Sequence, residues 1–354
     1  MLKNPKRVLI FQVIVISLIA IGFYGQAYSE EIKKEECFFL SSLHYTTRGM
    51  GYWYDKTNGG LETLTGIPYS KLTCKNCHTS SCDACHKTEA EKKLSYSTKV
   101  SQSKETCLYC HKRVKKIMKI DRDAHQEDVH FAKGMQCVNC HTAREMHGDG
   151  TEYTSMKEIG ALDAKCENCH KSVSPSASHK VHRDKLACGS CHVRHVVSCS
   201  NCHFETLIKE GKRVSMDLSG WTFLMNYNGK VTSANMQTFV VKDNKTFLIF
   251  APQNSHSIMK EGRKCGDCHA TENVKQVQQG KFNMTWLENK ELKQAKGIIP
   301  VVDAVIYDFV YHDYQNGKWI PIENPSAPLL HYDGYGTPLS KEQLKKLAQP
   351  MGKK

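Results

Sequence analysis

The pattern C-x-x-C-H occurs eight times in this chain and constrains its fold more than any other feature. The copies are Cys74/Cys77/His78, Cys82/Cys85/His86, Cys107/Cys110/His111, Cys137/Cys140/His141, Cys166/Cys169/His170, Cys188/Cys191/His192, Cys199/Cys202/His203 and Cys265/Cys268/His269. Together they use sixteen of the 17 cysteines and leave only Cys37. On a helical turn, positions i, i+3 and i+4 share a face. Two thiols and an imidazole on one face can meet a single porphyrin, the sulfurs as thioethers and the imidazole on iron. The pattern therefore reads as covalent c-type heme attachment. Zinc sites, disulfide frameworks and redox dithiols also use paired cysteines. None of them needs a histidine directly after the second cysteine, yet here it follows all eight times. The expected cofactor is eight covalently bound heme c.

Seven of the motifs fall within 74–203, which leaves little sequence for an apolar core. The porphyrins are expected to be that core, wrapped by short helices. Without them the chain buries too little to offset its conformational entropy, so the apo chain is expected to be largely unfolded. The first two motifs fit in thirteen residues. His78 and Cys82 are four steps apart, at most about 14 Å between Cα atoms, so two porphyrins should nearly touch. The Cys188–His203 stretch is expected to repeat this arrangement. A catalytic heme, if present, is expected at a spaced site or at the isolated Cys265–His269 motif.

Residues 1–29 have the form of a secretory signal. Lys3, Lys6 and Arg7 precede an apolar run from Val8 to Tyr24, and Ala27-Tyr28-Ser29 offers a cleavage site before Glu30. An uncleaved membrane anchor is the alternative, although the run is short for a span of about 20 residues. Cys37 reads as a free thiol or an intermolecular disulfide partner. Residues 30–73 form an N-terminal flap with the aromatic cluster Tyr52-Trp53-Tyr54. Residues 74–203 form the heptaheme core. Residues 204–264 hold a small antiparallel β insertion: Trp221 to Tyr227 runs into Asn228-Gly229, a type I′ hairpin signal, and a second hairpin turns at Lys242–Lys245. Residues 265–354 carry the eighth heme site and a β-rich C-terminal region. There Asn316-Gly317 marks another hairpin, and Ser340-Lys341-Glu342-Gln343 has capping-box form.

The motifs name eight proximal iron ligands: His78, His86, His111, His141, His170, His192, His203 and His269. Of the 18 histidines, ten remain. His44, His125, His130, His147, His179, His182, His195 and His256 lie among or near the motifs and are the distal candidates. His312 and His331 lie in the β-rich tail. The supply suffices for bis-histidine ligation throughout. Met50, Met118, Met135 and Met146 are thus not needed, although Met/His ligation would raise the potential.

The formal charge of +13 alone would suggest an anionic partner. Loss of the first 29 residues leaves +10, and eight hemes with their propionates bring the sum to roughly +2 oxidised and roughly −6 reduced. The basic residues then pair with propionates, and nucleic acid is not expected as a partner.

The motif set, the close motif pairs and the segment His130–His141 followed by Met146-His147-Gly148-Asp149-Gly150 resemble octaheme c-type cytochromes. That group includes octaheme tetrathionate reductase and hydroxylamine oxidoreductase. The resemblance covers roughly residues 40–270. It implies a fold class that is mainly α and irregular, a heme-packed multiheme cytochrome c, here with the small β insertion and β-rich C-terminal region. The C-x-x-C-K motif of some octaheme nitrite reductases is absent. None of the 15 tyrosines is singled out as a heme crosslink, and no lysine as a distal ligand.

Two functions compete. One is electron transfer through closely packed, mostly bis-His hemes in anaerobic respiration or extracellular electron transfer. Its partners would be other redox proteins: a quinol-linked donor, a cytochrome or a terminal acceptor. A homo-oligomer or filament, with a histidine reaching a neighbouring subunit's heme, is a variant of it. The other is a multiheme reductase or oxidase of a small nitrogen or sulfur compound, at one heme with an open or Lys-held sixth position. A periplasmic or secreted, cell-surface location follows from the signal in either case.

Overall fold

The computed structural model describes residues 38–73, 78–90 and 93–350. Cys37, Cys74, Cys77 and the segment 1–29 lie outside them.

The fold is not mainly helical. Helix and strand make up 35% and 26% of it, close enough that neither dominates, and the largest apolar core belongs to an eight-stranded mixed sheet. In chain order its strands are β1 (Val196–Ser200), β2 (Cys202–His203), β3 (Met216–Tyr227), β4 (Lys230–Val240), β5 (Thr246–Pro252), β6 (Gly297–Pro300), β7 (Leu329–Tyr332) and β8 (Gly336–Thr337). The main path runs β6-β3-β4-β5-β7; β1 and β8 pair with β3, and β2 pairs with β4. β3, β4 and β5 form an antiparallel meander. β6 and β7 add to it in parallel from far along the chain.

Local sequence explains the meander. Asn228 and Gly229 both take positive φ, 47° and 73°, as a type I′ turn requires. Asn316 and Gly317 do the same between the strands His312–Gln315 and Lys318–Pro321. In β5 the side chains alternate between the two faces, as strand geometry dictates. Leu248 and Phe250 join a cluster with Trp221, Phe223, Val274, Val277, Phe282 and Met284. Phe247 and Ile249 join a second cluster with Tyr54, Leu61, Leu72, Phe204 and Leu207. Each large side chain so buried contributes about 1.5–3 kcal/mol. The sheet therefore has a core of its own, which corrects the expectation of a mainly α and irregular chain with only a small β insertion.

The segment expected as a flap packs through Tyr54, Leu61 and Leu72 onto the second face of this sheet. Its turn at Gly60 admits no side chain, because a Cβ there would meet the Trp53 carbonyl oxygen at 2.2 Å. Residues 78–192 differ: they are short helices, single 3₁₀ turns and one small hairpin. Ile117 and Ala161 are the only buried apolar side chains among their described residues. The C-terminal helix Lys341–Ala348 starts at the expected Ser340/Gln343 capping box.

Candidate heme-iron sites

Most motifs close the helical turn that their chemistry requires. The histidine N–H bonds the carbonyl of the first cysteine in Cys82/His86, Cys107/His111, Cys137/His141, Cys166/His170 and Cys265/His269, at 2.9–3.0 Å. Cys188–His192 is itself a short α-helix. In these six motifs the cysteines are exposed or half-buried, so their sulfurs face outward, where a porphyrin edge can meet them.

Cys110 is exposed at the C-terminal end of the helix Lys104–Cys110. Cys82, Cys140, Cys166 and Cys169 are exposed as well. The physical reason is local. The helix that carries Cys107 and Cys110 has no buried residue, so no apolar layer of the chain covers the face that its thiols present.

Six proximal rings each face one other histidine. The pairs are His86–His147 at 6.0 Å between centroids, and His111–His44, His170–His130 and His141–His256 at 6.2 Å. His192–His179 and His269–His182 stand at 6.3 Å. A metal–imidazole nitrogen bond is about 2.0–2.1 Å, and a ring centre lies about 1.1 Å behind its nitrogen, so two axial imidazoles on one metal sit about 6.2–6.4 Å apart. The residues of these six motifs fit a heme iron held by two histidines.

The partners of the other ring nitrogens agree with that fit. A ligating histidine gives its other ring N–H to an acceptor, which fixes the tautomer and the ring angle. His179 and His182 give Nδ1 to the carbonyls of Ser174 and Ser178, at 2.8 and 3.0 Å. His192 gives it to Met259, at 3.1 Å. His269 uses the Lys346 carbonyl at 3.2 Å, an oxygen near the end of a helix that also accepts the Gln349 N–H. His141 instead donates to the Glu145 carboxylate at 2.6 Å. That carboxylate also accepts the Ala164 amide at 2.8 Å and has no exposed side-chain surface. Burial pushes Glu145 up, but His141 and the amides outweigh it and hold it low, while Glu145 pulls His141 up. Burial lowers His44, His111 and His256, which keeps these rings neutral and able to bind metal.

Successive motifs approach one another. The thiols of Cys107 and Cys137 lie near enough to shift each other's ionisation, as do those of Cys166 and Cys188. Cys140 lies within electrostatic reach of Cys169, and Cys191 within reach of Cys265 and Cys268.

Other candidates fall elsewhere. His125 is exposed and takes φ of 55°. His195 is buried, with Nε2 on the Asp121 carboxylate at 2.7 Å. His312 is buried and bonds the Val310 carbonyl, and His331 stacks on Phe247. No histidine ring faces His78 among the described residues. Beside it opens a cavity of about 490 Å³ lined by Tyr45, Thr46, Thr47, Arg48, Thr79 and Ser80. The isolated Cys265 site, expected to have room for a pocket, instead has its His269 faced by His182. Sequence reading passed over Glu145, although its i+4 spacing from His141 was visible.

The seventh motif is built differently. Cys199 and Cys202 lie in β1 and β2, 6% and 0% exposed. His203 gives its N–H to the Val214 carbonyl at 3.0 Å and has a tyrosine ring, Tyr314, beside it.

Two curated proteins are similar to this chain. One is the multiheme cytochrome MtrA of Shewanella baltica, 26% identical over 176 residues, 41% of this chain and 52% of that protein. The other is the dissimilatory sulfite reductase MccA of Wolinella succinogenes, 28% identical over 88 residues, 21% of this chain and 12% of that protein. These likenesses support a multiheme c-type cytochrome that works by electron transfer and carries covalently bound c-type heme. The chain spans about half the length of the first relative and a small part of the second. No family model and no solved structure matches it. Among the described residues no helix is long and apolar enough to cross a membrane.

Proposed function

We propose that this protein is an exported electron relay, in which closely spaced bis-histidine hemes pass single electrons between other redox proteins. The observation that carries this reading is the set of six facing histidine pairs, all at 6.0–6.3 Å. Heme iron supplies reversible one-electron chemistry. The protein's own part would be to hold each iron between the two histidines of a pair and so deny it to substrate. The Nδ1 acceptors of His141, His179, His182, His192 and His269 would hold their Nε2 atoms in place and tune the potential. The approach of successive motifs, from Cys107–Cys137 onward, gives a path that follows chain order. The charge pattern of residues 1–29 supports export to the periplasm or beyond, in anaerobic respiration or extracellular electron transfer. Donor and acceptor would be a quinol-linked protein, a cytochrome or a terminal acceptor.

A second reading has one specific support. His78 has no facing ring among the described residues, and the cavity beside it holds Arg48, Thr46 and Thr79. A heme there would keep a position open for a small nitrogen or sulfur oxyanion, which could compete with Glu152 for the Arg48 guanidinium, now paired with it at 2.7 Å.

An EPR spectrum of the pure oxidised protein separates the two. Wholly low-spin ferric iron is the result expected for the relay. A high-spin fraction near one heme would favour turnover at His78, and high-spin signal from most sites would overturn the pairing itself.

A further inference from the structure

The motif Cys199-Ser200-Asn201-Cys202-His203 matches the heme-attachment pattern by letter and departs from it in every geometric respect. The attachment chemistry needs both sulfurs and the imidazole on one side of a helical turn. Here the chain is extended. Cys199 pairs with Asp217 of β3, and Cys202 pairs with Phe239 of β4. Asn201 takes φ of 51° between them and is itself fully buried. Its amide bonds the Thr238 hydroxyl at 2.7 Å. The His203 N–H, which elsewhere closes the turn onto the first cysteine, is committed to Val214.

The sulfurs are also enclosed. Cys202 sits in the core cluster with Tyr54, Leu61, Phe204, Phe239 and Phe247. A thioether at either cysteine would force a plate the size of a porphyrin into a packed core, where even one added methylene is resisted. The imidazole is equally engaged. Its Nε2 meets the Asp313 carboxylate at 2.8 Å, and its Nδ1 meets the Thr206 hydroxyl at 2.6 Å. Neither ring nitrogen points into open space. A zinc site does not fit either, because no three His, Cys, Asp or Glu side chains converge among the described residues.

We infer that the seventh motif is not a heme-attachment site but a structural element of the sheet, so that the chain carries seven hemes. Cys199 and Cys202 serve as small core side chains. His203 fastens the end of β2 to the hairpin that holds Asp313 and Tyr314. The path between the flanking sites does not need a heme here, because the chain leading into the eighth motif packs directly on the sixth, where the Arg263 N–H bonds the Cys191 carbonyl at 3.1 Å.

This inference rests on reading the other seven motifs as heme sites, and one experiment tests the two separately. The full-length protein, matured in a host with heme-attachment machinery, is denatured, reduced, alkylated and digested with trypsin. The peptides are then read by mass spectrometry. The expected result is that the 195–209 peptide carries two alkyl groups and no heme, while peptides of the other motifs carry heme. The intact protein should weigh the mature chain plus seven hemes. A heme adduct on the 195–209 peptide, in whole or in part, would overturn the inference. Absence of heme from the other motif peptides would overturn the underlying reading instead. A Cys199→Ala/Cys202→Ala variant gives a second readout: its heme-to-protein ratio is expected to match that of the parent, and a loss of one heme would again overturn it.

Discussion

Residues 78–192 and residues 193–348 use the same five-letter motif in two physical settings. In the first region the described residues bury Ile117 and Ala161 and no other apolar side chain. Its helices are short, its cysteines exposed or half-buried, and its histidines face one another across gaps the width of an iron. In the second region Trp221, Phe223, Phe247 and Phe250 are fully buried in a mixed sheet, and Phe282 joins its core from the strand Lys281–Asn283. The motif that falls inside that sheet is absorbed as strand. The one at its far margin, Cys265–His269, keeps the helical turn and the facing ring. A C-x-x-C-H sequence is therefore permissive for heme, and the surrounding chain decides whether the turn forms. Cofactor is expected to hold the first region together, and apolar burial the second.

The sharpest way to break this contrast is a pair of truncations. Phe250→Ala opens a cavity in the sheet and is expected to lower the stability of the second region by about 3–5 kcal/mol, with the low-spin heme spectrum of the folded protein unchanged. His130→Ala removes the ring facing His170. It is expected to convert one heme to high spin and to leave the melting of the sheet unchanged. Thermal unfolding followed by far-ultraviolet circular dichroism, read beside EPR, checks both. If each variant disturbed both readouts alike, the two regions would not be separate.

A smaller effect sharpens the contrast within the first region. His141 is the proximal histidine whose Nδ1 meets a buried carboxylate, Glu145, while His192 and His269 use backbone carbonyls. The carboxylate makes the imidazole more electron-rich and favours ferric iron. A charge-assisted hydrogen bond exceeds a neutral one by about 1 kcal/mol, which is about 40 mV for a one-electron couple. Glu145→Gln is expected to raise one potential by about that amount in a spectroelectrochemical titration. A fall, or no shift, would remove Glu145 from the tuning of this site.

Much of the architecture was legible where it depends on neighbours in sequence. The Asn228-Gly229 and Asn316-Gly317 turns and the Ser340 cap formed as their local chemistry dictates. The sheet was underrated because β6 and β7 reach the meander in parallel from residues 297 and 329. Short apolar runs do not announce such long-range partners. The distal pairings were illegible for the same reason: His44 meets His111, and His256 meets His141, across distances in sequence that no spacing rule connects. The seventh motif did carry a local signal, the β-branched Val196-Val197 immediately upstream, which favours a strand over a helical turn.

Hydrogen exchange read by mass spectrometry on the chain made without heme attachment tests the central claim most directly. The amides of β3, β4 and β5 are expected to stay protected for as long as in the heme-loaded protein, while those of residues 78–192 exchange at once. Loss of protection in the sheet, or protection of 78–192 without heme, would contradict the division between a region held by cofactor and one held by its own core.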